Sequence, residues 1–131
     1  MAKFENILLI EDDPITVMVC DRIIKMIGFG NHVQTKENGQ EGIDYINNAI
    51  KENKELPDII FLDINMPIMN GWDFLEAFET IKQRLIKVPR ILILSSTVDP
   101  EDYKKAKKFS AVEGFISKPL TQEHLNDIIA N

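Results

Sequence analysis

The segment that decides the fold reads Ile7-Leu8-Leu9-Ile10-Glu11-Asp12-Asp13, a short apolar run that turns acidic at once. The run is too short for a helix and is apolar at consecutive positions, as a parallel strand must be when helices cover both of its faces. Comparable short runs recur along the chain at His32–Thr35, Ile59–Leu62, Ile91–Leu94 and Gly114–Ser117. The first of these is the least apolar, which is typical of an edge strand. The sequence therefore predicts five strands.

Segments with helical periodicity separate these runs. In the first of them, apolar residues recur at every fourth position, at Ile15, Val19, Ile23 and Ile27. This spacing predicts one apolar stripe on the first helix. Residues suited to cap a helix precede three later segments, at Asn38, Asp99 and Thr121. Strands that alternate with helices in this way predict an α/β fold, with a five-stranded parallel sheet and helices on both of its faces.

The composition bounds the size and class of the protein. The chain has 131 residues, with 15 basic against 21 acidic side chains and a net charge of −6. This length is typical of one domain, which we expect to span residues 1–131. The negative charge disfavours direct binding to nucleic acid or to an anionic membrane, and every apolar stretch is far shorter than the ~20 residues that span a bilayer. Because Cys20 is the single cysteine, no internal disulfide can form, and we predict a cytoplasmic location.

Polar side chains follow four of the predicted strands at the point where each strand ends. They are Glu11 and Asp12, Asp63, Ser95, and Lys118. Because the carboxyl ends of parallel strands lie along one edge of a sheet, we expect these groups to share one crevice. Carboxylates at close quarters repel one another, and Mg²⁺, which prefers oxygen ligands, relieves that repulsion. The Lys118 ammonium can pair with a carboxylate, or with a phosphoryl oxygen when one is bound.

These strand ends carry motifs that occur in a characteristic order. They are the stretch 7–13, Leu62-Asp63-Ile64-Asn65-Met66-Pro67 with Gly71, Leu94-Ser95-Ser96, and Lys118-Pro119. Together they resemble the receiver domains of two-component response regulators over nearly the whole chain. The resemblance implies a flavodoxin-like (βα)5 fold with strand order 2-1-3-4-5. It also implies a stand-alone receiver like the chemotaxis regulators.

The resemblance implies a nucleophile and a metal site. Asp63 would accept a phosphoryl group and become an aspartyl phosphate. Mg²⁺ would be held by Glu11 through a water molecule and by Asp12 directly. Asp63 and the backbone carbonyl of Asn65 would complete the protein ligands.

Three further residues match family positions that respond to the phosphoryl group. Ser95 would donate a hydrogen bond to it and would move towards it on activation. Lys118 would pair with another phosphoryl oxygen, and its peptide bond to Pro119 would be cis. Phe115 matches the aromatic position that swings inward when the hydroxyl moves.

The implied function is that of a phosphoacceptor in a phosphorelay. A histidine kinase or histidine phosphotransfer protein would donate the phosphoryl group to Asp63. The rearrangement would then change a surface that binds a downstream protein target, and activation could also drive homodimerisation. Such a protein is not an enzyme, since it catalyses only its own phosphorylation and slow dephosphorylation.

Two residue assignments stay open. Asp12 and Asp13 could form the metal pair in place of Glu11 and Asp12, although Asp13, directly before Pro14, is well placed to cap the first helix. Ser96 or Thr97 offers a hydroxyl close to that of Ser95, and any of these hydroxyls could simply satisfy the loop backbone.

A degenerate receiver is the alternative function, and particular residues disfavour a phosphatase and a flavin carrier. A degenerate receiver would bind partners without being phosphorylated. A phosphatase of the dehalogenase type needs a second Asp two residues after its nucleophile, where Asn65 stands and cannot transfer protons. The acidic stretch 11–13 would repel the phosphate of a flavin.

Four lysines, at 104, 105, 107 and 108, are interpreted as a solvated face that complements the helix dipole.

Overall fold

The computed structural model describes residues 3–96 and 99–131. Helices and strands alternate in the order β1 Phe4–Ile10, α1 Pro14–Met26, β2 Gly30–Lys36, α2 Gly39–Lys51, β3 Ile59–Asp63, α3 Gly71–Lys82, β4 Arg90–Ser95, α4 Pro100–Ala106, β5 Val112–Ser117 and α5 Gln122–Ala130. The five strands form one parallel sheet in the order β2-β1-β3-β4-β5, which confirms the predicted fold. In the described part of the chain, no helix combines the length and the apolar character that crossing a membrane requires.

The sheet separates two apolar cores. On one face, α1 and α5 contribute Ile24 and Leu125 to the first core. On the other face, α2, α3 and α4 contribute Ile46, Phe78 and Ala106 to the second. Full burial of an isoleucine, leucine or phenylalanine side chain contributes ~1.5–3 kcal/mol. The two cores hold the strands so that their carboxyl ends meet at one edge.

The second strand is an edge strand, as predicted, but it is longer than the run His32–Thr35. It pairs with β1 along its length, from Phe4 opposite Gly30 to Ile10 opposite Lys36. Backbone hydrogen bonds to β1 define this strand, and they do not require apolar side chains. The apolar pattern therefore marked only its centre.

The apolar stripe predicted for α1 is half right: Ile23 and Ile27 are partly buried against the first core, but Ile15 and Val19 face solvent. Ile15 is 67% exposed and Val19 is 37% exposed. The residues of α1 that are fully buried are instead Cys20 and Ile24. Apolar residues lie on most sides of this helix, so the spacing of its apolar residues is compatible with more than one buried face. Cys20 belongs to the core, as expected for a cysteine that packs rather than reacts.

The predicted capping residues begin their helices. The side chains of Asn38, Asp99 and Thr121 each accept a hydrogen bond from a backbone N–H in the first turn. Asp99 and Thr121 are part of complete capping boxes. The peptide bond between Lys118 and Pro119 is cis, as the resemblance implied.

Candidate functional site

Three of the predicted site residues meet at the carboxyl edge of the sheet. Glu11 follows β1, Asp63 ends β3 and Lys118 follows β5. The Lys118 ammonium nitrogen lies 2.7 Å from Glu11 Oε1 and 3.4 Å from Asp63 Oδ1. Glu11 and Asp63 are only 1% and 4% exposed. Two buried carboxylates therefore share one ammonium group.

Asp12 adds a third carboxylate to this cluster. One oxygen from each of Glu11, Asp12 and Asp63 lies within 4.8 Å of the others, and Asp12 is exposed while its two neighbours are buried. Carboxylate oxygens around an opening to solvent suit Mg²⁺, which takes one or two carboxylates and keeps several waters. The donor set therefore fits this cation.

The pKa of Glu11 is raised above its usual value, and burial is the main cause. Burial of the carboxylate raises the pKa of Glu11 to about 7. The hydrogen bond from Lys118 opposes this rise, and the charge of Asp63 adds to it. A raised pKa means that the ionised form lacks sufficient compensation. One ammonium does not neutralise this cluster, and a divalent cation would.

Asp13 has a separate task. Its carboxylate accepts hydrogen bonds from the backbone N–H and the hydroxyl of Thr16, at 3.2 and 2.7 Å. The hydroxyl bond is the main reason why the pKa of Asp13 lies below its usual value. Asp13 thus caps α1, as predicted from its position before Pro14. This contact favours Glu11 and Asp12 over the alternative metal pair.

The loop between β3 and α3 is folded tightly against Asp63. Asn65 donates its backbone N–H to Asp63 Oδ1 at 3.3 Å, while its carbonyl remains a predicted metal ligand. Gly71 donates its backbone N–H to the carbonyl of Ile64 at 2.9 Å. A Cβ at Gly71 would lie 2.6 Å from the carbonyl oxygen of Asp63, so only glycine allows this approach.

One residue of this loop has an unfavourable backbone conformation that the sequence did not reveal. Ile68 has a φ of 67° and is 84% exposed. A β-branched residue rarely adopts a left-handed conformation, because its branched Cβ crowds the backbone. No sequence rule would place isoleucine there, since such positions favour glycine or asparagine.

Ser95 ends β4 beside the cluster. It is buried, and its carbonyl accepts a hydrogen bond from the backbone N–H of Lys118 at 2.9 Å. Ser96 is exposed, and Thr97 lies outside the described residues. The position of Ser95 thus ties the end of β4 to the residue that carries the site ammonium.

Phe115 lies on β5, the neighbouring strand, and is half-buried. Its ring meets the ring of Tyr103, a residue of α4, with centroids 4.7 Å apart and planes at 61°. The sequence motifs single out Phe115 but not Tyr103. Nothing in the sequence around a tyrosine on a helix surface indicates that its ring contacts a residue of a neighbouring strand.

The four lysines are exposed, in agreement with their interpretation as a solvated face, but α4 ends at Ala106, so Lys107 is its C-cap and Lys108 lies beyond the helix. The ammonium of Lys104 lies 3.5 Å from Glu101, and that of Lys105 lies 5.5 Å from the ring centre of Trp72. These contacts are local, and the net charge of the chain remains negative. The predicted lack of a nucleic-acid surface stays a prediction.

The chain resembles proteins of one family in sequence and in structure. The family model for the response regulator receiver domain matches residues 7–130. The two-component response regulator ORR41 of Oryza sativa subsp. japonica is 31% identical over 128 residues, which cover 98% of this chain and 94% of that protein. A crystal structure of a two component response regulator from Cytophaga hutchinsonii is 34% identical, with a TM-score of 0.88 and coverage of 98% of this chain and 96% of that chain.

Similarity of the same kind extends to a segment of a much larger protein. The hybrid signal transduction histidine kinase L of Dictyostelium discoideum is 26% identical over 95% of this chain, but the match spans 7% of that protein. Domains similar to this one therefore occur within long proteins as well as in short ones.

Proposed function

The chain belongs to the response regulator receiver family, and we propose that it is a phosphoacceptor whose Asp63 takes up the phosphoryl group. One observation carries this proposal. Asp63 is buried at the end of a central strand, 3.4 Å from the Lys118 ammonium and beside two further carboxylates. A carboxylate held between a cation and a metal-binding cluster is suited to attack phosphorus.

The transfer begins with Asp63 as nucleophile. One carboxylate oxygen attacks the phosphorus in line, a P–O bond forms, and the P–N bond of a donor phosphohistidine breaks. The electron pair of the broken bond stays on the imidazole nitrogen of the donor. The product is an aspartyl phosphate on this chain.

Two side chains would neutralise and orient the transferred group. Lys118 exchanges part of its contact with the carboxylates for a charge-assisted hydrogen bond to a phosphoryl oxygen. The Ser95 hydroxyl donates a hydrogen bond to another oxygen. Both residues lie at the end of neighbouring strands and are linked through the backbone, so their positions depend on each other.

Glu11 through water, Asp12, Asp63 and the carbonyl of Asn65 would hold Mg²⁺. When bound, the cation supplies positive charge against the phosphoryl oxygens and the carboxylates. The support for this site is the clustered donor set and the raised pKa of Glu11. Without a group at Asn65 that can transfer protons, hydrolysis of the aspartyl phosphate would be slow.

Receiver domains interact with histidine kinases or phosphotransfer proteins, and we propose such a protein as the phosphoryl donor. Movement of Ser95 towards the phosphoryl group would let Phe115 turn inward. This change alters the surface formed by α4, β5 and α5, to which a downstream protein would bind. A cytoplasmic location and homodimerisation on activation remain predictions from the sequence.

The test locates the modification on the chain. The protein is incubated with acetyl phosphate and Mg²⁺, reduced with borohydride, digested and sequenced by mass spectrometry. Borohydride converts an aspartyl phosphate into homoserine, and we expect homoserine at position 63. Homoserine at another aspartate would contradict the proposed role of Asp63, and none at all would favour a receiver that binds partners without phosphorylation.

A further inference from the structure

Helix α4 is attached to the rest of the domain by few contacts. Of its residues Pro100–Ala106, only Ala106 is buried. Two of its exposed side chains nevertheless reach aromatic rings on other elements: Tyr103 meets Phe115 of β5, and Lys105 lies over Trp72 of α3. The position of α4 therefore depends on these ring contacts.

The Tyr103 contact falls on a residue linked to the phosphorylation site. In the pairing of β4 with β5, Ser95 lies opposite Ser117, and Ile93 lies opposite Phe115. Because side chains alternate along a strand, Ser95 and Phe115 point to the same face of the sheet, the face that α4 covers. Phe115 thus shares a face of the sheet with Ser95 and contacts the ring of Tyr103.

The geometry of the ring pair is specific. A centroid distance of 4.7 Å with planes at 61° is an edge-to-face contact. Tyr103 is 52% exposed, so it contributes little to the core, and its ring lies against that of Phe115. The two rings line a cleft of about 310 Å³ between α4 and β5.

We propose that Tyr103 is a positioning residue that holds Phe115 in its resting place and so opposes activation. This inference rests on the proposed function, in which Phe115 moves as Ser95 engages the phosphoryl group. Movement of Phe115 away from Tyr103 breaks the edge-to-face contact. The contact therefore stabilises the resting state and not the activated one.

The proposal predicts the direction of a binding change. Removing the Tyr103 ring destabilises the resting state alone, so a phosphoryl mimic that binds the activated state should bind more tightly. Loss of an aromatic contact of this geometry should change the equilibrium between the resting and activated states by roughly two- to tenfold. The contact of Lys105 with Trp72 is untouched, so α4 stays attached in the variant.

The experiment measures the dissociation constant of beryllofluoride, in saturating Mg²⁺, by calorimetry on the full chain. Tyr103→Ala is compared with the wild type and with Tyr103→Phe, which keeps the ring. Tyr45→Ala is the control for the same substitution elsewhere, because Tyr45 lies on α2, where its ring meets the Lys36 ammonium, and not on α4. Circular dichroism verifies that each variant is folded.

We expect Tyr103→Ala to bind beryllofluoride about two to ten times more tightly, and Tyr103→Phe and Tyr45→Ala to bind it as the wild type does. Unchanged or weaker binding by Tyr103→Ala would overturn the inference. So would equally tight binding by Tyr103→Phe, since the ring would then not be responsible. If the wild type binds no beryllofluoride, the proposed function itself fails, and this inference falls with it.

Discussion

The ammonium nitrogen of Lys118 lies 2.7 Å from Oε1 of Glu11, a carboxylate that is almost completely buried. The same nitrogen lies 3.4 Å from Asp63. Burial by itself would lower the pKa of Lys118, but the two carboxylates more than compensate, and this pKa lies above its usual value. Lys118 therefore stays charged at neutral pH, while the cluster around it keeps an excess of negative charge.

The raised pKa of Glu11 predicts how stability depends on pH without metal. Its pKa rises from 4.5 to about 7 on folding. The folded protein thus holds the proton more strongly than the unfolded chain, and this stabilisation is complete below pH 4.5 and lost as the pH rises through about 7. In the presence of a metal chelator, the free energy of unfolding should fall over this pH range, and Glu11 should account for at most about 1.4 kcal/mol per pH unit.

Urea unfolding at a series of pH values measures this dependence. Glu11→Gln cannot titrate and should show a flatter profile than the wild type. Saturating Mg²⁺ should remove most of the decline, because the cation compensates the ionised carboxylates. Identical profiles for the wild type and Glu11→Gln would show that Glu11 does not titrate in this range.

Replacement of Lys118 should separate metal binding from phosphoryl transfer. In Lys118→Met the carboxylates lose a competing cation, so Mg²⁺ should bind at least as tightly as in the wild type. Phosphorylation by acetyl phosphate should be slower by at least tenfold, because one phosphoryl oxygen loses its charged partner. Lys107→Met makes the same charge change at an exposed residue of the chain and should leave both quantities unchanged. Weaker Mg²⁺ binding in Lys118→Met would contradict this role.

Gly71 should be the glycine on which the shape of the site depends. In Gly71→Ala the new Cβ would lie 2.6 Å from the Asp63 carbonyl oxygen and 2.8 Å from the Ile64 Cα, both backbone atoms. The loop must shift, which should cost about 1–3 kcal/mol and slow the phosphorylation of Asp63. Gly114→Ala meets nothing within 4 Å and should stay within about 0.5 kcal/mol of the wild type. Thermal melting compares the two, and equal effects would argue against a steric cause.

The sequence predicted the sheet and the site because both depend on strands that it marks clearly. The runs before Glu11, Asp63 and Ser95 are apolar on both faces, and a parallel sheet forces their ends together. The site is therefore a consequence of strand order and chain direction. Asp13 could be assigned to capping for a similar local reason, the proline that follows it.

The sequence could not reveal what depends on contacts between distant elements. The full extent of β2 comes from backbone pairing with β1, and the contact of Tyr103 with Phe115 comes from how α4 lies on the sheet. The left-handed conformation of Ile68 opposes the preference of its residue type. The predicted stripe of α1 failed at Ile15 and Val19, because apolar residues lie on most sides of that helix and their spacing alone did not identify the buried side.

The corrected face of α1 gives its own prediction. Ile24 is fully buried, whereas Ile15 is largely exposed. Ile24→Ala should lower the free energy of unfolding by about 2–5 kcal/mol, and Ile15→Ala should change it by no more than about 0.5 kcal/mol. Both variants remove the same atoms from the same helix, so their difference reports burial alone. Denaturant unfolding measures it, and a larger loss for Ile15→Ala would restore the stripe that the sequence suggested.

The most direct test of the central claim is the intact mass of the protein after incubation with acetyl phosphate and Mg²⁺. The wild type should gain the mass of one phosphoryl group. Asp63→Asn should gain none, and neither should the wild type when the metal is chelated. A gain in Asp63→Asn equal to that of the wild type, or no gain in the wild type under any of these conditions, would contradict the assignment of Asp63 as the phosphoacceptor.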